Sequence, residues 1–110
     1  MIARIWKAQA TSDRAADYVE HFKAAVAPEL RAIRGFEGAT ILRRALADHV
    51  ELSVITWWAS REAIRAFAGD AVETAVVDDT AARMLIAFDR EVEHHGVAFN
   101  EPAPRGESQR

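Results

Sequence analysis

A chain of 110 residues has room for one domain, and folding at that size removes only about two-thirds of the unfolded surface from water, so a second copy would add useful burial. Half of the residues are apolar and 28% are charged, the balance of an ordinary globular protein, and a net charge of -3 with no basic cluster excludes nucleic acid as a partner. Cysteine is absent, which excludes disulfides, thiolate metal sites and a Cys nucleophile, and no apolar run approaches the ~20 residues that span a bilayer.

The N-terminus, Met1-Ile2-Ala3-Arg4-Ile5-Trp6, lacks the charged segment and apolar stretch of a secretory signal, so a cytoplasmic location is expected. Residues 1–10 mix Ile2, Ile5 and Trp6 with few helix signals and read as a first strand. Ser12 is placed to cap a following helix, with Asp13 at the positive end of the helix dipole. Val19, Phe22, Val26, Leu30 and Ile33 recur at spacings of three and four, which predicts an amphipathic helix with these residues facing inward. His21 is offset from that face and is expected to be exposed. Pro28 has no N–H to donate, so the helix should kink or break near Ala27 before it ends at Ile33 and the loop glycines Gly35 and Gly38.

Residues 39–46 and 50–58 are two β-type runs joined by Ala47-Asp48-His49, which predicts an antiparallel hairpin. In the second run Leu52, Val54, Thr56 and Trp58 share one face, and Ser53, Ile55 and Trp57 share the other. Ser60 should cap a second helix carrying Ile64, Phe67, Ala68 and Ala71, interrupted at Gly69 and followed by a shorter helix over residues 70–77. Asp78-Asp79-Thr80 reads as a turn, residues 81–88 as either a helical turn or an extended approach, and residues 91–99 as the last strand. Asn100 onward carries two prolines, a glycine and mostly polar residues, and is expected to be a flexible tail over 100–110, leaving a domain over 1–99.

The predicted order is βαββαβ, the split βαβ arrangement of an α+β, ferredoxin-like fold with an antiparallel four-stranded sheet. Helices cover one face of such a sheet. The other face would expose residues such as Ile55 and Trp57, and pairing with a second copy through the sheet faces would cover them.

Several segments together resemble the antibiotic biosynthesis monooxygenase family over about residues 1–99. They are the opening strand, Ile33-Arg34-Gly35-Phe36-Glu37-Gly38 before the hairpin, and Leu42-Arg43-Arg44 within it. Thr56-Trp57-Trp58-Ala59-Ser60 leads into the second helix, Ala63-Ile64-Arg65-Ala66-Phe67-Ala68-Gly69 runs along it, and Val92-Glu93-His94-His95-Gly96-Val97 sits in the last strand. The resemblance implies a dimeric α+β barrel, with a pocket between the sheet and helices of each subunit. It also implies either a cofactor-independent oxygenase, using neither metal nor flavin on a small aromatic or quinone-type compound, or a non-catalytic homodimeric domain that binds a small molecule. Haem-degrading relatives rely on an Asn of the first strand, a Trp on helix two and a downstream His ligand. Here the only Asn is Asn100, the helix-two aromatic is Phe67, and the downstream segment is Thr74-Ala75-Val76-Val77, so haem chemistry would need His94 or His21 as a replacement ligand.

Within that resemblance, His94 matches a histidine that the family often carries in its last strand, where it would serve as base or hydrogen-bond donor. The bland alternative is a partly buried imidazole bonded to a neighbouring element. Trp58 would orient substrate through its indole N–H, against a plain core-packing role. Trp6, Phe22 and Phe67 are the expected walls of the pocket. Among Arg4, Arg43 and Arg44 a cation at the pocket is sought, with Arg44 as the candidate and solvation at the sheet edge as the ordinary reading for all three. His94 and His95 point to opposite faces of a strand, which argues against a metal site.

Overall fold

A computed structural model describes residues 1–104. Strand β1 (Ile2–Ala10) is followed by α1 (Ser12–His21), a wider helical turn over Phe22–Val26 and α2 (Ala27–Arg31). Strands β2 (Phe36–Ala45) and β3 (Val50–Trp58) form the hairpin, α3 spans Arg61–Ala68 and α4 spans Asp79–Arg83, and the short strands β4 (Ala87–Phe88) and β5 (Glu93–Gly96) end the order.

The sheet is antiparallel and open, in the order β2-β3-β1-β4, with β5 also on β1. The fourth position that a single strand was expected to fill is thus divided in two. The chain leaves the edge after Phe88 and returns at Glu93, so the predicted strand over 91–99 shortens to Glu93–Gly96. The ambiguous stretch 81–88 contains both alternatives, the end of α4 and then β4.

Alternation along the two central strands sets the core. Trp6, Ala8 and Ala10 of β1 and Leu52, Val54, Thr56 and Trp58 of β3 are buried on one face, against Ala15, Tyr18 and Phe22 of the first helical run and Ile64 of α3. The register pairs Arg4 with Thr56 and Trp6 with Val54, so Arg4 faces the core in phase with these residues. The other face carries Ile5, Ile55 and Trp57, which remain partly exposed, and Leu42, which is exposed.

The first helix starts one residue earlier than expected. Thr11 is the cap, its hydroxyl accepting from the Arg14 N–H at 3.4 Å, and Ser12 is the first helical residue. Pro28 cannot donate to the carbonyl four residues back, and ahead of it the Ala27 N–H reaches to Phe22 O, widening the helix by one residue. Ala15 and Tyr18 of α1 join Phe22 and Leu30 in the core, while Val19, Val26 and Ile33 are only half-buried.

Gly35 takes a φ of +96°, and its carbonyl accepts from the Ala59 N–H at 2.8 Å. A β-carbon there would lie 2.6 Å from that of Ala63, so glycine is required both by the backbone and by the approach of α3. Ser60 caps α3 through the Ala63 N–H at 3.2 Å, as its sequence position suggested. The helix expected over 70–77 does not form. Residues 70–78 instead run as an irregular segment, tied back by an isolated bridge between Thr74 and Glu91. Residues 100–104 are exposed and carry no helix or strand, and residues 105–110 of the expected tail lie outside the described residues.

Candidate functional site

A cavity of about 60 Å³ opens between the helix-covered sheet face, α3 and the irregular segment before α4. Its walls are mainly apolar and aromatic. Trp6 comes from β1, Phe22 from the widened helical turn and Phe67 from α3, the three residues expected as pocket walls. Trp6 packs at tilted angles on Tyr18 (6.0 Å between ring centroids) and Phe88 (5.9 Å), and its indole N–H donates to Asp89 O at 2.7 Å. Four polar side chains enter this apolar enclosure: Arg4, Tyr18, Thr56 and Asp78.

Arg4 is 4% exposed. Its Nη1 donates to Val72 O at 2.5 Å and to His94 Nε2 at 3.0 Å, and its Nη2 donates to Thr74 O at 3.0 Å. The guanidinium lies 5.8 Å from the centroid of the Phe67 ring, within cation–π range. Burial lowers its pKa to about 10, partly offset by the charge of Glu73, so it stays cationic at neutral pH. Glu73 itself pairs with Arg61 at 3.1 Å, and Arg4 has no ion-pair partner among the described residues.

His94 therefore stands behind Arg4, off the cavity wall. Because a guanidinium only donates, His94 Nε2 accepts, which fixes a neutral ring with its proton on Nδ1. Burial, followed by the charges of Arg4 and Arg61, lowers its pKa and favours that neutral form. His95 points to the opposite face and contacts Glu93 at 3.1 Å.

Trp58 is also one layer back. It is 0% exposed, stacks on Phe67 at 5.8 Å and donates its indole N–H to Thr56 Oγ1 at 2.8 Å. The N–H expected to orient a substrate is thus committed to Thr56. It is Thr56 that lines the cavity, with its own hydroxyl proton free to be donated there. Arg44 does not reach the site. Its register partner on β3 is Glu51, on the open face of the sheet, where the two form an exposed ion pair at 3.4 Å. Arg43 lies on the helix side but is spent on Ser12 at 3.1 Å.

Asp78 caps α4 through the Ala81 N–H at 2.7 Å and accepts from His21 Nε2 at 2.8 Å. Burial alone would raise its pKa, but the Ala81 N–H and His21 hold it below the usual value, so the carboxylate is ionised. His21, expected to be exposed, is largely covered by this contact. Tyr18 has its phenol pKa raised, first by burial and then by the charge of Asp78, and it stays protonated.

Tyr18, Thr56 and Asp78 are not singled out as site residues by the sequence, and Arg4 is weighed there as a pocket cation beside Arg43 and Arg44, with Arg44 chosen as the candidate. For Arg4 the signal was present: it falls in phase with Trp6, Ala8 and Ala10, a lone cation on the apolar side of a strand. Thr56 likewise alternates with Leu52 and Val54. Tyr18 of α1 is one turn from Phe22, and Asp78 depends on a loop path that no periodicity encodes.

Among solved structures, the fold is similar to that of an antibiotic biosynthesis monooxygenase from Bacillus cereus, with a TM-score of 0.68 at 16% identity over 96% of this chain and 98% of that one. It is also similar to the haem degrader MhuD of Mycobacterium tuberculosis with two haems in its active site, with a TM-score of 0.59 at 20% identity over 93% and 100% of the two chains. A MhuD variant with two manganese protoporphyrin IX molecules per active site gives 0.61 at 20% identity over 94% and 100%. No curated protein matches the chain.

The side chains here do not suit a haem. The two imidazoles nearest the cavity have their Nε2 atoms engaged, His94 with Arg4 and His21 with Asp78. The enclosed space would have to widen even for one benzene ring, which an engineered cavity of ~150 Å³ holds, and a haem is several times larger than that. Among the described residues no group of three His, Cys, Asp or Glu side chains could hold a metal ion. No helix among them is long and apolar enough to cross a membrane. The family model for antibiotic biosynthesis monooxygenases matches residues 1–76, more than half of the sequence, and with the fold described above this chain belongs to that family.

Proposed function

We propose that this protein is a cofactor-independent monooxygenase acting on a small, electron-rich aromatic or quinone-type compound, with the cavity around Trp6, Phe67 and Arg4 as its active site. The observation that carries this reading is an aromatic-walled enclosure into which a cation, a carboxylate and two hydroxyls project. Such a site can hold a flat ring dry while it moves one proton.

The chemistry is that of a phenol oxidised to a quinone. The Asp78 carboxylate, positioned by His21, accepts the phenol proton, and the ring carbon para to the oxygen bonds to O₂. The resulting hydroperoxide loses water, so one oxygen atom enters the product as the new carbonyl and the other leaves as H₂O. Thr56 and Tyr18 are the hydroxyl donors that steady the developing oxyanion. In this scheme His94 and Trp58 act through their neighbours, His94 by holding Arg4 and Trp58 by holding Thr56. A ring of any size needs the cavity to widen, and the irregular segment 70–78, with Val76 half-exposed, is the wall best able to move.

The same reading includes a homodimer. Ile5, Ile55, Trp57 and Leu42 form an apolar surface on the open sheet face, where a second copy of the chain would cover them. A specific feature favours a second reading, a non-catalytic small-molecule binder: the Asp78 carboxylate is ionised at low pH and so is a weak base.

Oxygen consumption by metal-free and haem-free protein, measured across phenols, naphthols and anthrones that carry a hydrogen at the reacting carbon, separates the two. Catalysed uptake on at least one phenol, with the smaller rings preferred, is expected of the oxygenase. Saturable binding without uptake on any of them supports the binder.

A further inference from the structure

No carboxylate among the described residues lies within ion-pair distance of the buried Arg4, and the charge of Glu73 offsets its burial only in part. A guanidinium removed from water is costly unless it is paired, and the protein supplies only two backbone carbonyls and a neutral imidazole. Four exposed or half-exposed arginines have carboxylates, Arg14 with Asp17, Arg44 with Glu51, Arg61 with Glu73 and Arg65 with Asp70, and the arginines that lack one, such as Arg31 and Arg34, lie at the surface in water. The most deeply buried one has none among the described residues.

The hydrogen-bond count shows what is left over. Of the five guanidinium N–H groups, Nη1 uses both of its own and Nη2 uses one, which leaves the Nε–H and one Nη2–H without a protein acceptor. No buried side-chain nitrogen or oxygen among the described residues is sealed off without a partner, so the unbonded Nε keeps some accessible surface, and Arg4 is one of the residues that line the cavity. The remaining donors belong to a rigid planar fork, held in place by three contacts and by the Phe67 ring. Unspent N–H donors on a fixed cation match the oxygens of a carboxylate, which is anionic before it binds. A neutral phenol would supply an acceptor but would leave the charge uncompensated.

We infer that the cavity selects an aromatic carboxylate, whose carboxyl group docks on the free donors of Arg4 while its ring lies against Phe67 and Trp6. This rests on the reading of the cavity as the active site and narrows its substrate class to hydroxyaryl carboxylic acids. The carboxylate completes the ion pair that the protein lacks, and the apolar walls account for the ring.

The test is binding without turnover, under anaerobic conditions, read by calorimetry and from the intrinsic tryptophan fluorescence. The probes are 2,5-dihydroxybenzoate and its amide, alike in ring and shape but differing in charge. Wild-type protein should bind the acid at least about tenfold more tightly than the amide, as a charge-assisted pair in a dry site requires. In Arg4→Met, which keeps an unbranched apolar stem and removes the charge, the ratio should fall to about one. Equal affinities in the wild type, or a preference that survives in Arg4→Met, would overturn the inference. If Arg4→Met does not fold, the Nε–H resonance of Arg4 in wild-type protein decides. It should shift with the acid and stay in place with the amide, and an unmoved resonance with bound acid contradicts the proposal. Because no oxygen is consumed, an anion preference can be established or lost independently of whether the protein is an oxygenase.

Discussion

The Nε2 atom of His94 lies 3.0 Å from Nη1 of Arg4, bringing together residues 90 positions apart in the sequence, on β5 and β1. The contact needs a neutral imidazole. Protonation would remove a charge from water and then set it against Arg4, and the lowered pKa of His94 expresses the cost of burial first and of that repulsion second.

The first prediction follows from the sign of that shift. With its folded-state pKa below the ordinary 6.5, His94 binds fewer protons in the folded than in the unfolded state, so stability rises with pH across this range. The contribution is present above pH 6.5 and is lost as the pH falls through the folded-state value. His94→Gln, whose amide oxygen still accepts from Arg4, should flatten this part of the stability profile. Urea unfolding at pH 7.5 and pH 5 in both proteins measures it, and equal slopes would count against a neutral His94.

Tyr18 gives the opposite alkaline limb. Its phenol pKa is raised by burial and by Asp78, so the unfolded chain loses this proton above pH 10 while the folded one keeps it, and stability falls there. Tyr18→Phe should be less sensitive to pH between 9 and 11 than the wild type. Thermal melts across that range, with phenol absorbance as the reporter, test it.

Trp58 ties three layers together, with its ring between Phe36 and Phe67 and its N–H on Thr56. Trp58→Ala should cost about 3–5 kcal/mol, a large part of the ~5–15 kcal/mol that holds a small domain folded. Trp58→Phe should retain most of the packing but free the Thr56 hydroxyl, so it should affect ligand affinity more than folding. Chemical denaturation and ligand titration of the two variants separate these effects.

Gly35→Ala should destabilise by about 1–3 kcal/mol, because its φ of +96° strains any larger residue and the new β-carbon would meet Ala63. Adding Ala63→Gly removes the clash but not the strain, so it should restore only part of the loss. Full restoration would mean that the backbone conformation costs little.

On the open sheet face, Trp57→Glu buries a charge in the proposed dimer surface and should yield monomers by analytical ultracentrifugation, with the helix-side cavity intact. A wild type that is already monomeric at micromolar concentration would remove the dimer from the account.

Much of the fold was legible because it follows from period and punctuation. The alternation of Leu52, Val54, Thr56 and Trp58 gave the buried face of β3, Ser60 gave the start of α3, and Pro28 gave the place where the first helix changes its winding. The edge of the sheet was not legible, since β4 and β5 are two and four residues long and are ordered by pairing with β1 rather than by their own pattern. The site was only half legible. Trp6, Phe22 and Phe67 could be found as aromatics in phase with the core. Asp78 reaches the cavity through a loop whose path is fixed by the bridge of Thr74 to Glu91 and by the contact with His21. Arg44 and Arg4 differ only in strand and phase, and alternation places the first on the open face and the second inside.

The central claim is that the cavity around Arg4 carries out a monooxygenation. The most direct measurement is isotope incorporation from ¹⁸O₂ into the quinone formed by metal-free, haem-free protein, with Asp78→Asn and Arg4→Met run in parallel. The account predicts one labelled oxygen per product molecule in the wild type and a loss of product formation in both variants. Label arriving from water instead of O₂, or product formed equally by all three proteins, would contradict it.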